Sequence, residues 1–153
     1  MAWRSLLCTG VNVRYNVEEN FTRYMRDIGS NILFSPVPGK TIKGVRKAIE
    51  ASQEAVAGLL GVRRETVSRI ETGGITPTAA FIRSFSKAAS IIKVFRDINA
   101  LKDTKPEDTN IPLNPTFIRT HFSLSPGEFD AMMRMGDASY SKTKKKILRR
   151  IRI

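Results

Sequence analysis

The sequence predicts an all-α fold: five short helices, an N-terminal helical arm before them and a mostly helical C-terminal extension after them. Three observations carry this expectation. Apolar residues recur at helical spacing over 42–98, a region almost free of helix breakers except at Gly61 and over 73–77. A second amphipathic stripe precedes that region, and a helix-start pattern follows it at 125–128. Hydrophobic residues make up 41% of the 153, enough to build a packed core.

In chain order, the arm (1–40) contains one amphipathic helix. Val17, Phe21, Tyr24, Met25 and Ile28 share a face, Asn16 can cap it with Glu19 three residues on, and Gly29 supplies a stop. Ile32, Leu33 and Phe34 then read as an extended run or short strand closed by Pro36 and Pro38. Over 41–101 the stripes are Ile42, Val45 and Ile49; Val56, Leu59 and Leu60; Val67 and Ile70; Phe81, Phe85 and Ala88; and Ile91, Phe95 and Ile98. They predict five helices of roughly eight to twelve residues with short connections. The polar, proline-bounded stretch 102–115 reads as a linker. In the extension (116–153), apolar Phe117, Ile118 and Phe122 precede a helix with Ser125 as N-cap, Pro126 at its first position and Glu128 closing a capping box. Phe129, Met132, Met133 and Met135 form its buried face.

The formal net charge is +12, which favours a polyanionic partner, either nucleic acid or an anionic membrane surface. The charge is uneven. Lys142, Lys144, Lys145, Lys146, Arg149, Arg150 and Arg152 supply seven of the twelve, leaving +5 for the rest of the chain. Ile147, Leu148 and Ile151 interleave these cations at helical spacing, so the tail reads either as a solvated basic segment or as a phosphate-neutralising helix. Cys8 is the only cysteine and His121 the only histidine, so no disulfide framework or metal site is expected, and no cofactor. No Gly-rich phosphate loop or nucleophilic triad points to catalysis, and no apolar run reaches the ~20 residues that span a bilayer. The expectation is a non-enzymatic, cytoplasmic protein with no membrane partner.

The informative stretch is 52–71, Ser-Gln-Glu-Ala-Val-Ala-Gly-Leu-Leu-Gly-Val-Arg-Arg-Glu-Thr-Val-Ser-Arg-Ile-Glu, followed by Thr72 and Gly73. Two helices that cross closely at a tight turn need a small residue where they touch, and Ala57 supplies it. The turn needs a residue that accepts positive φ, and Gly61 stands there. Val62, Val67 and Ile70 then pin the second helix. It presents Arg63, Arg64, Glu65, Ser68 and Arg69 on the face away from the core. Arginine can bond guanine O6 and N7 together, and glutamate can accept from cytosine N4.

This pattern resembles the phage repressor and Cro type of helix-turn-helix, the XRE family, over about 42–97. The resemblance rests on Gln53, the Ala57-Gly61-Val62 core, Glu71-Thr72-Gly73 and Pro77. It implies a recognition helix at 63–72 in the major groove, with Arg64, Glu65 and Arg69 facing bases, and Ser68 joins them by its place on the same outward face. Gln53 is expected at a phosphate or an outer base, and Arg63 and Thr66 at phosphates, joined by Lys142, Lys144, Lys145 and Lys146 of the tail. It also implies a structural salt bridge between Arg46 and Glu71. Arg63 departs from the Ser or Thr that usually caps this helix, which weakens the cap by about 1 kcal/mol, and Ala51 replaces a common Leu. The implied function is sequence-specific binding of double-stranded DNA by a homodimeric transcriptional regulator on an inverted repeat. The helix at 17–28 and the region 117–135 are the candidate dimerisation surfaces, the second preferred. The alternatives are a coactivator-like factor that bridges transcription machinery, the antitoxin of a toxin pair, and non-specific nucleic-acid binding through the tail.

Overall fold

A computed structural model describes residues 16–104, 119–120 and 122–151; the side chains of 101–104 and, past Gly136, all but Ser141 and Lys145 lie outside that description. Cys8, Phe117, Ile118, His121, most of the expected linker, and the side chains of Lys142, Lys144 and Lys146 therefore lie outside the described residues. Among those described, the elements are α1 (Val17–Leu33), α2 (Pro38–Ala48), α3 (Gln53–Leu60), α4 (Arg64–Glu71), α5 (Ala79–Thr104) and α6 (Pro126–Ile151), with no strand. The fold is all-α.

α1 begins where Asn16 Oδ1 accepts the Glu19 N–H at 3.0 Å, with Glu18 and Glu19 set against the positive end of the helix dipole. It does not stop at Gly29, and residues 32 and 33 are helical rather than extended. The reason is tertiary. Ile32 is fully buried, and burying that side chain gains about 1.5–3 kcal/mol. A glycine inside a helix costs only about 1 kcal/mol. The helix ends at Leu33, and the Phe34 N–H closes its last turn on the Ser30 carbonyl.

The two stripes expected as fourth and fifth helices lie on one helix, α5, of 26 residues. The region 41–101 therefore holds four helices rather than five, and α5 runs through Thr104 into the expected linker. Buried residues surround α5 on several sides, among them Ile82, Phe85, Ala89, Ile91, Ile92, Val94, Phe95 and Ile98. A helix buried this way is the centre of a bundle, not its surface. Nothing at its middle breaks it: the Ser90 hydroxyl donates to the Ser86 carbonyl one turn back, at 2.6 Å.

α1 and α6 both pack on α5. Phe21 of α1 meets Phe122 at 4.6 Å between ring centres, and Phe95 of α5 meets Phe129 of α6 edge-on at 5.7 Å. The Tyr24 hydroxyl of α1 donates to Asp97 of α5. α6 opens with the expected capping box, in which Ser125 Oγ accepts the Glu128 N–H and Glu128 Oε2 accepts the Ser125 N–H. Ile28, Ile32, Phe122, Leu124, Phe129 and Met132 thus share one buried cluster with the residues of 41–101. The described apolar residues of the faces read as dimerisation surfaces pack largely into the chain's own core.

Candidate nucleic-acid interface

α3 and α4 are joined through Gly61, which caps α3 at φ +66° and ψ 28°, in the left-handed region open to glycine. The Val62 N–H reaches back to the Ala57 carbonyl at 3.0 Å. Ala57 and Val56 are buried in α3; Val67 and Ile70 are buried in α4. Small, turn and pinning residues therefore occupy the places that their types predict. α3 starts at Ser52, whose Oγ accepts the Ala55 N–H at 3.0 Å.

α4 turns a different face outward. Arg64, Glu65 and Arg69 are exposed, while Thr66 and Ser68 are half-buried. Arg63 is exposed at the N-cap position and makes no side-chain cap bond, so the first N–H groups of α4 have no side-chain acceptor from it. Thr72 closes the other end, its hydroxyl donating to the Ser68 carbonyl at 3.0 Å.

Beneath that face lies a buried ion pair. Arg46 of α2 donates from Nε to Glu71 Oε1 at 2.5 Å and from Nη2 to Oε2 at 3.1 Å. The side chains are 11% and 1% exposed. Arg46 Nη1 also donates to the Ala51 carbonyl at 2.9 Å, which ties the α2–α3 turn to the same guanidinium. Gln53 is drawn in as well, its amide donating to Glu71 Oε2 at 2.9 Å. Burial pushes the Glu71 carboxyl up, but bonds from Arg46 and Gln53, with the charges of Arg46 and Lys43, hold it below its ordinary value. One carboxylate thus joins α2, the start of α3 and the end of α4.

Two features of this geometry were not visible in the sequence. Gln53, expected at phosphates, has one amide N–H engaged by Glu71, because the fold brings residues 53 and 71 together. Gly39, which follows Pro38 and looks like part of a turn, lies buried inside α2 against the last turn of α4. A Cβ at Gly39 would stand 2.1 Å from the Ile70 carbonyl oxygen and 3.1 Å from that of Glu71. Only a residue without a side chain lets α2 approach α4 so closely. No local signal distinguishes such a glycine from a turn glycine. Lys145, expected at phosphates, is exposed on α6.

Two short helices crossing at a tight glycine turn, the second with an exposed polar face, define a helix-turn-helix. Residues 39–89, a third of the chain, match a family model described as a helix-turn-helix domain. No curated protein and no solved structure matches the chain. Among the described residues no helix is long and apolar enough to cross a membrane.

Proposed function

We propose that the chain is a sequence-specific, double-stranded DNA-binding transcriptional regulator of the repressor and Cro type, with α4 as its recognition helix. The observation that supports this most is the division of labour on α4. Val67, Ile70 and Glu71 hold it to the core, while Arg64, Glu65 and Arg69 have no core duty and stay exposed. In this reading Arg64, Glu65, Ser68 and Arg69 meet base edges in the major groove. Arg63 and Thr66 lie at phosphates. Gln53 serves there with its second amide N–H and its backbone N–H at the positive end of α3. Lys142, Lys144, Lys145 and Lys146 add contacts that do not depend on sequence.

The regulator acts as a homodimer on an inverted repeat, its two recognition helices about 34 Å apart in successive major grooves. The stripes at 17–28 and 117–135 are poor dimerisation surfaces, since their described apolar residues pack inside the chain. The protein is placed in the cytoplasm and does no chemistry of its own. Selection of bound duplexes from a random pool tests the reading directly. A palindromic consensus is expected. Arg64→Ala and Arg69→Ala should each lose about 1–3 kcal/mol of discrimination at one position of each half-site. Absence of any sequence preference at physiological salt would sink the proposal.

A further inference from the structure

We infer that Lys40, Lys43 and Lys47 of α2 form a second DNA-backbone contact surface, flanking the recognition helix. The inference rests on the DNA-binding reading of α4. α2 carries Lys40, Lys43, Arg46 and Lys47 and no acidic residue. Arg46 turns inward to Glu71. The three lysines are exposed, and their spacing of three and four residues puts them on one side of the helix.

The local electrostatics of α2 oppose part of this arrangement. Lys40 stands in the first turn, where the helix dipole disfavours a cation, and no acid offsets it. α1, α3, α4 and α6 each place an acid in their first turn. Lys43 is three residues from both Lys40 and Arg46 and four from Lys47, spacings at which like charges weaken a helix. Lys47 stands in the last turn, where the dipole favours a cation, but Lys40 and the close spacing around Lys43 cost stability within α2, and local conflicts of this kind mark places where a sequence answers to a partner.

The position of α2 says which partner. Gly39 packs against the carbonyls of Ile70 and Glu71, so the start of α2 lies at the last turn of α4. Lys43 is close enough for its charge to act on the Glu71 carboxyl. A helix seated in the major groove is bordered by two phosphate ridges. The start of α3 and the start of α2 both lie at the last turn of α4, so the exposed lysines of α2 extend the phosphate contacts made there along the backbone that borders that end of the recognition helix. Lysine suits this task because a compact point charge neutralises a phosphate without demanding a fixed geometry.

The test is fluorescence anisotropy of the full chain with a labelled mixed-sequence 24-base-pair duplex, titrated over a range of sodium chloride. The variants are the triple Lys40→Gln, Lys43→Gln, Lys47→Gln, the matching Lys→Arg triple, and Arg26→Gln, an exposed cation on α1, as control. Losing three phosphate contacts should flatten the plot of log affinity against log salt by about 2.7 and weaken binding roughly 100-fold at 0.15 M salt. The Lys→Arg triple should keep the wild-type slope, and Arg26→Gln should change neither. Melting of the Lys→Gln triple should change little, because the repulsion relieved around Lys40 and Lys43 is offset by the lost attraction of Lys43 to Glu71 and of Lys47 to the end of the helix dipole. A slope changed by less than about 0.5 with an unaltered melt makes the lysines a solvated face only and overturns the inference. Wild-type protein that fails to bind the duplex even at low salt refutes the DNA-binding reading itself, an outcome distinct from an unchanged slope.

Discussion

Replacing Arg46 with Ala leaves the Glu71 carboxylate, 1% exposed, with Gln53 as its one remaining hydrogen-bond donor among those described, and removes the donor to the Ala51 carbonyl. Breaking a buried pair by deleting one partner costs about 3–5 kcal/mol, because the survivor stays desolvated. With the Ala51 carbonyl also deprived, Arg46→Ala should cost about 4 kcal/mol, which for a domain of this size lowers the melting temperature by roughly 10–20 °C. The double variant Arg46→Met, Glu71→Leu removes both charges and keeps apolar bulk, so it should be more stable than Arg46→Ala alone. Urea unfolding followed by circular dichroism measures both. The pH dependence has a definite sign. The Glu71 carboxyl is held below its unfolded value, so the pair's contribution is complete above the ordinary carboxylate range. It is lost as pH falls through the depressed folded value, where the unfolded chain already binds the proton. Wild-type stability should therefore fall more steeply in acid than that of Glu71→Gln. A loss below about 1 kcal/mol for Arg46→Ala, or a double variant worse than the single, would refute the claim that this pair holds the recognition helix.

Other substitutions probe neighbouring parts of the same argument. Gly39→Ala forces a methyl into the Ile70 carbonyl, and backbone cannot step aside as a side chain can; a loss of about 1–3 kcal/mol is expected by urea unfolding, with weaker DNA binding because α4 must shift. Ser86 Oγ is buried without a hydrogen-bond partner among the described residues, so Ser86→Ala should leave stability unchanged or raise it by about 1 kcal/mol, and a clear loss would refute that the hydroxyl is unsatisfied. Burial, then the bond and charge of Asp97, push the Tyr24 hydroxyl up to about 12. Its raised folded value gives stability that is present below the ordinary tyrosine range and fades as pH rises from 10 towards about 12. Tyr24→Phe should lose about 1–3 kcal/mol at neutral pH and show a shallower alkaline decline in a melting series from pH 8 to 12.

What the sequence determined by itself was everything fixed by neighbours a few residues away. The caps at Asn16, Ser52 and Ser125, the left-handed turn at Gly61, and the inward positions Val56, Ala57, Val67 and Ile70 were all legible, because helix spacing and turn chemistry act locally. The outward face of α4 followed from the same periodicity. Tertiary structure decided the rest. Burial of Ile32 carried α1 past Gly29, and core packing on several sides fused two expected helices into α5. The described apolar residues of the stripes that looked like surfaces for a second copy pack into the chain's own core, since an amphipathic face does not say which apolar partner will cover it. Gln53 was tied to Glu71, and Gly39 was pressed against the recognition helix, by approaches between elements far apart in sequence. Spacing along the chain names the residues that face inward. Which surfaces they meet depends on free energies of burial and desolvation that exist only once the helices are packed.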